Sequence, residues 1–207
     1  LLAAGVMCLW TGVLWAQNPQ PRYLPHWHSL DQHQTPDWLQ DAKVGLFVYP
    51  LHPTAAQYND YKQRTGRLGQ YNAQDSWDVT PWNPTALAKL AQQAGCKYLV
   101  FGVDPYSYFV TWPSRYADRK GSPFVHLHGP GSNKDYVAEI AQAVRGRGLR
   151  FGIYRNYLHP AQHAFFHETS HELIDRYQPD TLWLDGDKLS DSADALRSRE
   201  LAAYYYN

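Results

Sequence analysis

Two places in this sequence hold residues whose types and spacing could do chemistry. The first is Asp185, which closes the short apolar run 181–184 and precedes Gly186. Such a run reads as a buried strand, so the carboxylate is delivered at a strand's C-terminal end. In a fold of alternating strands and helices, reacting groups gather at that end. An Asp-Gly pair there also suits a turn or a helix cap. The second place is His167-Glu168-Thr169-Ser170-His171. On a helix this spacing puts two imidazoles on one face for zinc, with the glutamate as base, the chemistry of a metallopeptidase. The third ligand of the extended zinc motif is missing, since Ile174 stands where its glycine would be. With His159 and His163, these histidines read more simply as a polar stripe on an exposed helix.

A regular alternation of elements must position these groups. Residues 38–43 lead into a buried strand over 44–49, which ends at Pro50 and Pro53. The polar stretch 54–80 is too long for a plain connection and suggests a covering loop. Asn83-Pro84 starts a helix, with Asn as cap and Pro at the first helical position. Leu87, Leu90 and Ala94 are its expected inner stripe, and Gly95 ends it. A second strand over 97–103 carries the aromatic loop 104–109, and 110–133 is irregular. The helix over 134–147 turns Val137, Ile140, Ala141 and Val144 inward and stops at Gly148. A third strand covers 150–154. The helix over 160–177 is forbidden to continue by Pro179, the fourth strand is 181–185, and another helix begins near 194. In that fourth strand Trp183 and Leu184 fall on opposite faces.

Four strands each followed by a helix imply an α/β fold with a parallel sheet. Without a Gly-rich phosphate turn, a (β/α)₈ TIM-like barrel is favoured over a dinucleotide fold. Such a barrel takes about 250 residues, so the chain supplies about its first four βα units, over 38–207. Residues 17–37, with four prolines, form an extended N-terminal segment. Residues 1–16 are apolar, too short to span a bilayer, and end at Ala16-Gln17, which reads as a signal-peptide remnant and a secreted or periplasmic location. A buried N-terminal helix is the plainer alternative for the same stretch.

Composition narrows the partners. Nineteen basic residues balance nineteen acidic ones, so no net field recruits nucleic acid or an anionic membrane, and a neutral partner fits better. Sixteen Tyr and eight Trp offer rings that stack on sugars or fill cores. Once residues 1–16 are set aside, Cys96 is the one remaining cysteine. It can form neither an internal disulfide nor a cysteine-based metal site.

The segment Glu172-Leu-Ile-x-x-Tyr-x-Pro-Asp-x-Leu-Trp-x-Asp-Gly186 resembles the nucleophile-bearing segment of glycoside hydrolase family 29, the α-L-fucosidases. Four further stretches resemble that family in the same order: Pro36 to Val48, Trp82 to Tyr98, Phe109-Val-Thr-Trp-Pro-Ser-Arg-Tyr116, and Lys134 to Tyr154. The resemblance implies a retaining glycosidase acting on a carbohydrate, without cofactor or metal. Asp185 would be its nucleophile, and the second carboxyl group would lie beyond Asn207. It also places Tyr154, at the end of the third strand, and Trp112, in the family's Phe-x-x-Trp-x-Ser-x-Tyr loop, among the substrate-binding residues. Two departures stand out. The family's first strand ends His-Trp-Gly and its second Lys-His-His-Asp-Gly-Phe, where this chain has Tyr49-Pro50-Leu51 and Asp104-Pro-Tyr-Ser-Tyr-Phe109. Those family histidines bind fucose hydroxyls, so Tyr49, His52, Asp104 and Tyr106 would line a pocket of different character. A glycan-binding barrel that has lost catalysis is the alternative the altered loops support.

Overall fold

The computed structural model describes residues 21–49, 63, 82–104, 109–122, 124–127, 133–156, 163–185 and 197–207. The signal-like stretch, the covering loop apart from residue 63, His52 and Tyr106 lie outside them. Four strands, β1 (Gly45–Val48), β2 (Tyr98–Gly102), β5 (Arg150–Asn156) and β6 (Thr181–Asp185), form one parallel sheet in the order β1-β2-β5-β6. Two short strands, β3 (Phe109–Val110) and β4 (Val125–His126), pair in parallel within the stretch expected to be irregular.

The helices are α1 (Trp27–Leu30), α2 (Asp37–Asp41), α3 (Pro84–Gln93), α4 (Tyr136–Arg145), α5 (His163–Tyr177) and α6 (Ser198–Tyr206). Their ends follow local chemistry. The Asn83 side chain accepts from the Ala86 N–H at 2.9 Å, and Asp135 accepts from Ala138 N–H at 2.8 Å, each satisfying a first-turn donor. Gly95 and Gly148 follow α3 and α4 with φ of +78° and +71°, a conformation that Cβ-bearing residues enter at a cost. The segment 17–37 is not wholly extended, because α1 interrupts it with the His26 side chain as its cap.

One face of the sheet is dry. Leu99, Phe101 and Val103 of the β2 segment and Phe151 and Ile153 of β5 alternate onto it and meet Val137, Ile140, Ala141 and Val144 of α4, all buried. Leu173 of α5 and Ala88 and Ala91 of α3 complete this core. The stripe of α3 differs from the expected one. Leu90 is exposed and the two alanines are buried. Small side chains let α3 approach α4 and β2 closely, and that contact decides the rotation of a helix whose apolar residues run around much of its surface. Cys96 is buried and free. No helix among the described residues is long and apolar enough to cross a membrane.

Candidate active site

The other face of the sheet is open. Residues two apart on a strand share a face, so Gly45, Phe47 and Tyr49 line up with Tyr98, Val100 and Gly102, with Gly152 and Tyr154, and with Thr181, Trp183 and Asp185. Glycine and bulk alternate across it. A Cβ on Gly45 would strike the Tyr98 ring at 2.2 Å, one on Gly152 would meet Thr181 Cγ2 at 2.5 Å, and one on Gly102 would meet the Tyr49 ring at 1.6 Å. Each missing side chain is thus filled from a neighbouring strand.

At the C-terminal end of this face three rings gather on that of Tyr154, whose hydroxyl meets Asp185. Tyr154 stands edge-on to Phe47, with centroids 4.9 Å apart, and to Trp183 at 5.4 Å; Tyr49 approaches it edge-on at 5.7 Å. Edge-to-face pairs of this kind are the favoured aromatic geometry. Phe47 and Trp183 remain 46% and 52% exposed, which leaves a large apolar surface facing outward. The Tyr154 hydroxyl donates to Asp185 Oδ2 at 2.6 Å. Burial pushes the Tyr154 phenol well up from its usual value, and the bond to Asp185 pushes the same way, so Tyr154 stays a protonated donor. Asp185 is exposed, and no described residue donates to its Oδ1. One carboxylate oxygen is therefore held while the other takes no hydrogen bond from a described residue, an arrangement suited to nucleophilic attack.

Asp104 and Trp112, expected to line the pocket, are sealed in the frame with no exposed surface. Asp104 accepts from Arg155 Nε at 3.1 Å and from the Asn156 N–H at 3.2 Å, tying the end of β2 to β5. Burial pushes its carboxyl up to about 6, against the pull of the Arg155 guanidinium. Arg155, equally buried, donates onward to Phe166 O, Thr169 Oγ1 and Ser170 Oγ of α5 and lies 4.2 Å over the Phe166 ring. Trp112 donates through Nε1 to Glu172 Oε2 at 3.2 Å, which Ser114 Oγ also reaches at 2.6 Å, while Arg115 N–H donates to Oε1. The spacing of Trp112 and Ser114 thus reflects a shared acceptor on α5. Tyr49, Tyr154 and Asp185 are brought together; Phe47 and Trp183 join them, and strand parity with Asp185 was the signal for Trp183.

The His-Glu-x-x-His helix face is covered, which corrects its reading as an exposed stripe. His167 is buried, and the His171 ring stacks on Tyr204 of α6 at 3.7 Å. Tyr204 in turn donates to Asp175. Among the described residues no three His, Cys, Asp or Glu side chains are gathered to hold a metal. A cavity of about 550 Å³ lies on the helix side of β6, between residues 33–39 and α6. It includes neither Asp185 nor Tyr154, and the chemistry places the site on the open face instead.

Comparison with known proteins gives the family. The sequence profile described as Alpha-L-fucosidase matches residues 13–207. Tissue α-L-fucosidase of Rattus norvegicus is 30% identical over 222 residues, covering 89% of this chain and 46% of the relative, and that of Bos taurus is 29% identical over 81% of this chain and 42% of the relative. The crystal structure of Thermotoga maritima α-fucosidase in complex with fucose superposes with a TM-score of 0.60 at 25% identity, over 90% of this chain and 54% of that one. The chain spans less than half the length of these two curated relatives.

Proposed function

Because this chain belongs to the α-L-fucosidase family of glycoside hydrolases, we propose that it carries the nucleophile of a retaining enzyme that removes terminal α-L-fucosyl or closely related residues, with Asp185 in that role. The observation that carries the reading is the Tyr154 to Asp185 hydrogen bond, set at the strand ends on an aromatic open face. In the wider fold we propose, the parallel sheet continues into a (β/α)₈ barrel with this face as its interior.

Asp185 Oδ1 attacks the anomeric carbon as the glycosidic bond breaks, forming a glycosyl ester that water then cleaves. A second carboxyl group, about 5 Å away in retaining enzymes, protonates the leaving oxygen and later activates the water. Tyr154 holds Oδ2 during both steps, and the exposed faces of Trp183 and Phe47 support the apolar side of the sugar. A sugar without charge suits a site whose chain has no net charge. Residues 1–16 are proposed to direct export, to the periplasm or outside the cell.

Hydrolysis of an aryl α-L-fucoside by the intact protein tests the reading beside Asp185→Ala. Removing the nucleophile is expected to lower kcat by at least about 10³-fold, with a zinc chelator having no effect. Mass spectrometry of quenched turnover should find the glycosyl adduct on the peptide containing Asp185. Turnover that survives Asp185→Ala rejects the assignment. The exposed Trp183 also suits a binding role without catalysis. In that case fucose would quench Trp fluorescence while no aryl fucoside is cleaved.

A further inference from the structure

Tyr49 depends on the bareness of its neighbour. Its ring lies on the backbone of Gly102, where a Cβ would come within 1.6 Å of Cδ2 and 2.2 Å of Cε2. The Tyr49 hydroxyl donates to the Asp104 carbonyl at 2.8 Å, and Asp104 is itself fixed to Arg155 and to the Asn156 N–H. The ring is thus held at both ends, by β1 at its Cβ and by the end of β2 at its hydroxyl. Held this way, it presses on Tyr154 with centroids 5.7 Å apart at 80°. Phe47 and Trp183 meet the same Tyr154 ring at 85° and 88°. Three neighbours therefore confine Tyr154, and its hydroxyl is directed to Asp185 Oδ2.

We infer that Tyr49, seated over Gly102, is a positioning residue for Asp185 that acts through Tyr154. The inference rests on the reading of Asp185 as nucleophile. Truncating Tyr49 opens one side of the Tyr154 ring, the phenol swings, and the carboxylate loses the contact that fixes its rotamer. Misplacement of a reacting group by about 1 Å costs on the order of 10²-fold in rate. A side chain at 102 would displace the ring from the opposite side, so residues 49 and 102 act as one device.

The test measures kcat and KM for an aryl α-L-fucoside in the intact protein carrying Tyr49→Ala, Tyr49→Phe, Tyr154→Phe and the Tyr49→Ala/Tyr154→Phe pair, with Asp185→Ala as reference. Tyr49→Ala is expected to lower kcat about 10- to 100-fold with KM changed less than about 3-fold. Tyr49→Phe, which keeps the ring, should restore most of that loss. The pair should be no slower than Tyr154→Phe alone, because two residues acting in line do not add. Gly102→Ala approaches the device from the other strand. Adding Tyr49→Ala to Gly102→Ala should bring kcat to the level of Tyr49→Ala alone, because both changes act on the same ring, whereas general damage to the fold would add to the loss. Losses that multiply in either pair, or an effect confined to KM, would overturn the inference. If Asp185→Ala is inactive and Tyr49→Ala is silent, the inference alone falls; if Asp185→Ala retains turnover, the nucleophile assignment falls and the inference with it.

Discussion

Removing Arg155 would leave the Asp104 carboxylate buried without a counter-charge and would strip α5 of three hydrogen bonds from one guanidinium. Breaking a buried pair from one side costs about 3–5 kcal/mol. Arg155→Met is therefore expected to lower unfolding free energy by about that amount in urea titration, and Arg155→Met with Asp104→Asn should recover part of it, since the orphaned charge is gone. At this scale Asp185 was legible, because a carboxylate ending a short apolar run declares its own position. Asp104 was not. Its partner lies 51 positions away, on a strand that the sequence suggests ends at residue 154 and that runs on to Asn156. Continued pairing with β6, where Asn156 faces Asp185, carries the strand those two residues further and brings Arg155 to Asp104. Trp112 was obscured in the same way, since its acceptor on Glu172 is 60 positions away.

Between α5 and α6 the packing is built on histidines that the fold keeps neutral. Burial pushes both His167 and His171 below their ordinary 6.5. Each imidazole is also pushed down by Arg197 and pulled back by Glu168 and Glu200, with Asp175 pulling on His171. A fold that lowers these values binds fewer protons than the unfolded chain. The stability these two groups contribute is therefore complete above about 6.5 and is lost as pH falls from there through their lowered folded values. The urea midpoint should drop between pH 7.5 and 5.5, and His167→Gln/His171→Gln should flatten the drop. Asp104, raised by burial, acts in the opposite sense, its contribution falling as pH rises through about 6. The comparison between the two proteins cancels that part. Strands and helix ends at this scale were largely readable, because Asn83, Gly95 and Gly148 act on their own neighbours. The buried face of α3 was not, since the close approach of α4 selects Ala88 and Ala91 over Leu90. Nor was the covering of His171, which depends on where α6 docks.

Across the whole molecule, the two ends of the described chain hold each other. Asn207 Oδ1 accepts from the Tyr23 N–H at 3.0 Å, its Nδ2 donates to the Tyr23 carbonyl at 2.9 Å, and His33 stacks on Tyr206 at 3.7 Å. Asn207→Ala removes both hydrogen bonds, each contributing about 0.5–1.5 kcal/mol. Amide exchange over 21–33 and 198–206 should quicken while the β2 and β5 amides keep their protection, because the ends and the sheet bury separate clusters. The parallel α/β class was visible from the alternation of patterns, but nothing local in Tyr23 or Asn207 announced their pairing across 184 positions. During synthesis, that separation sets an order. Chain emerges at about 5–20 residues per second, so β1, β2 and β5 can assemble while residues 21–33 still wait for α6 to leave the ribosome. The earliest described segment thus finds its place only after the first three strands of the sheet have been made, and until then a chaperone or protease meets it undocked.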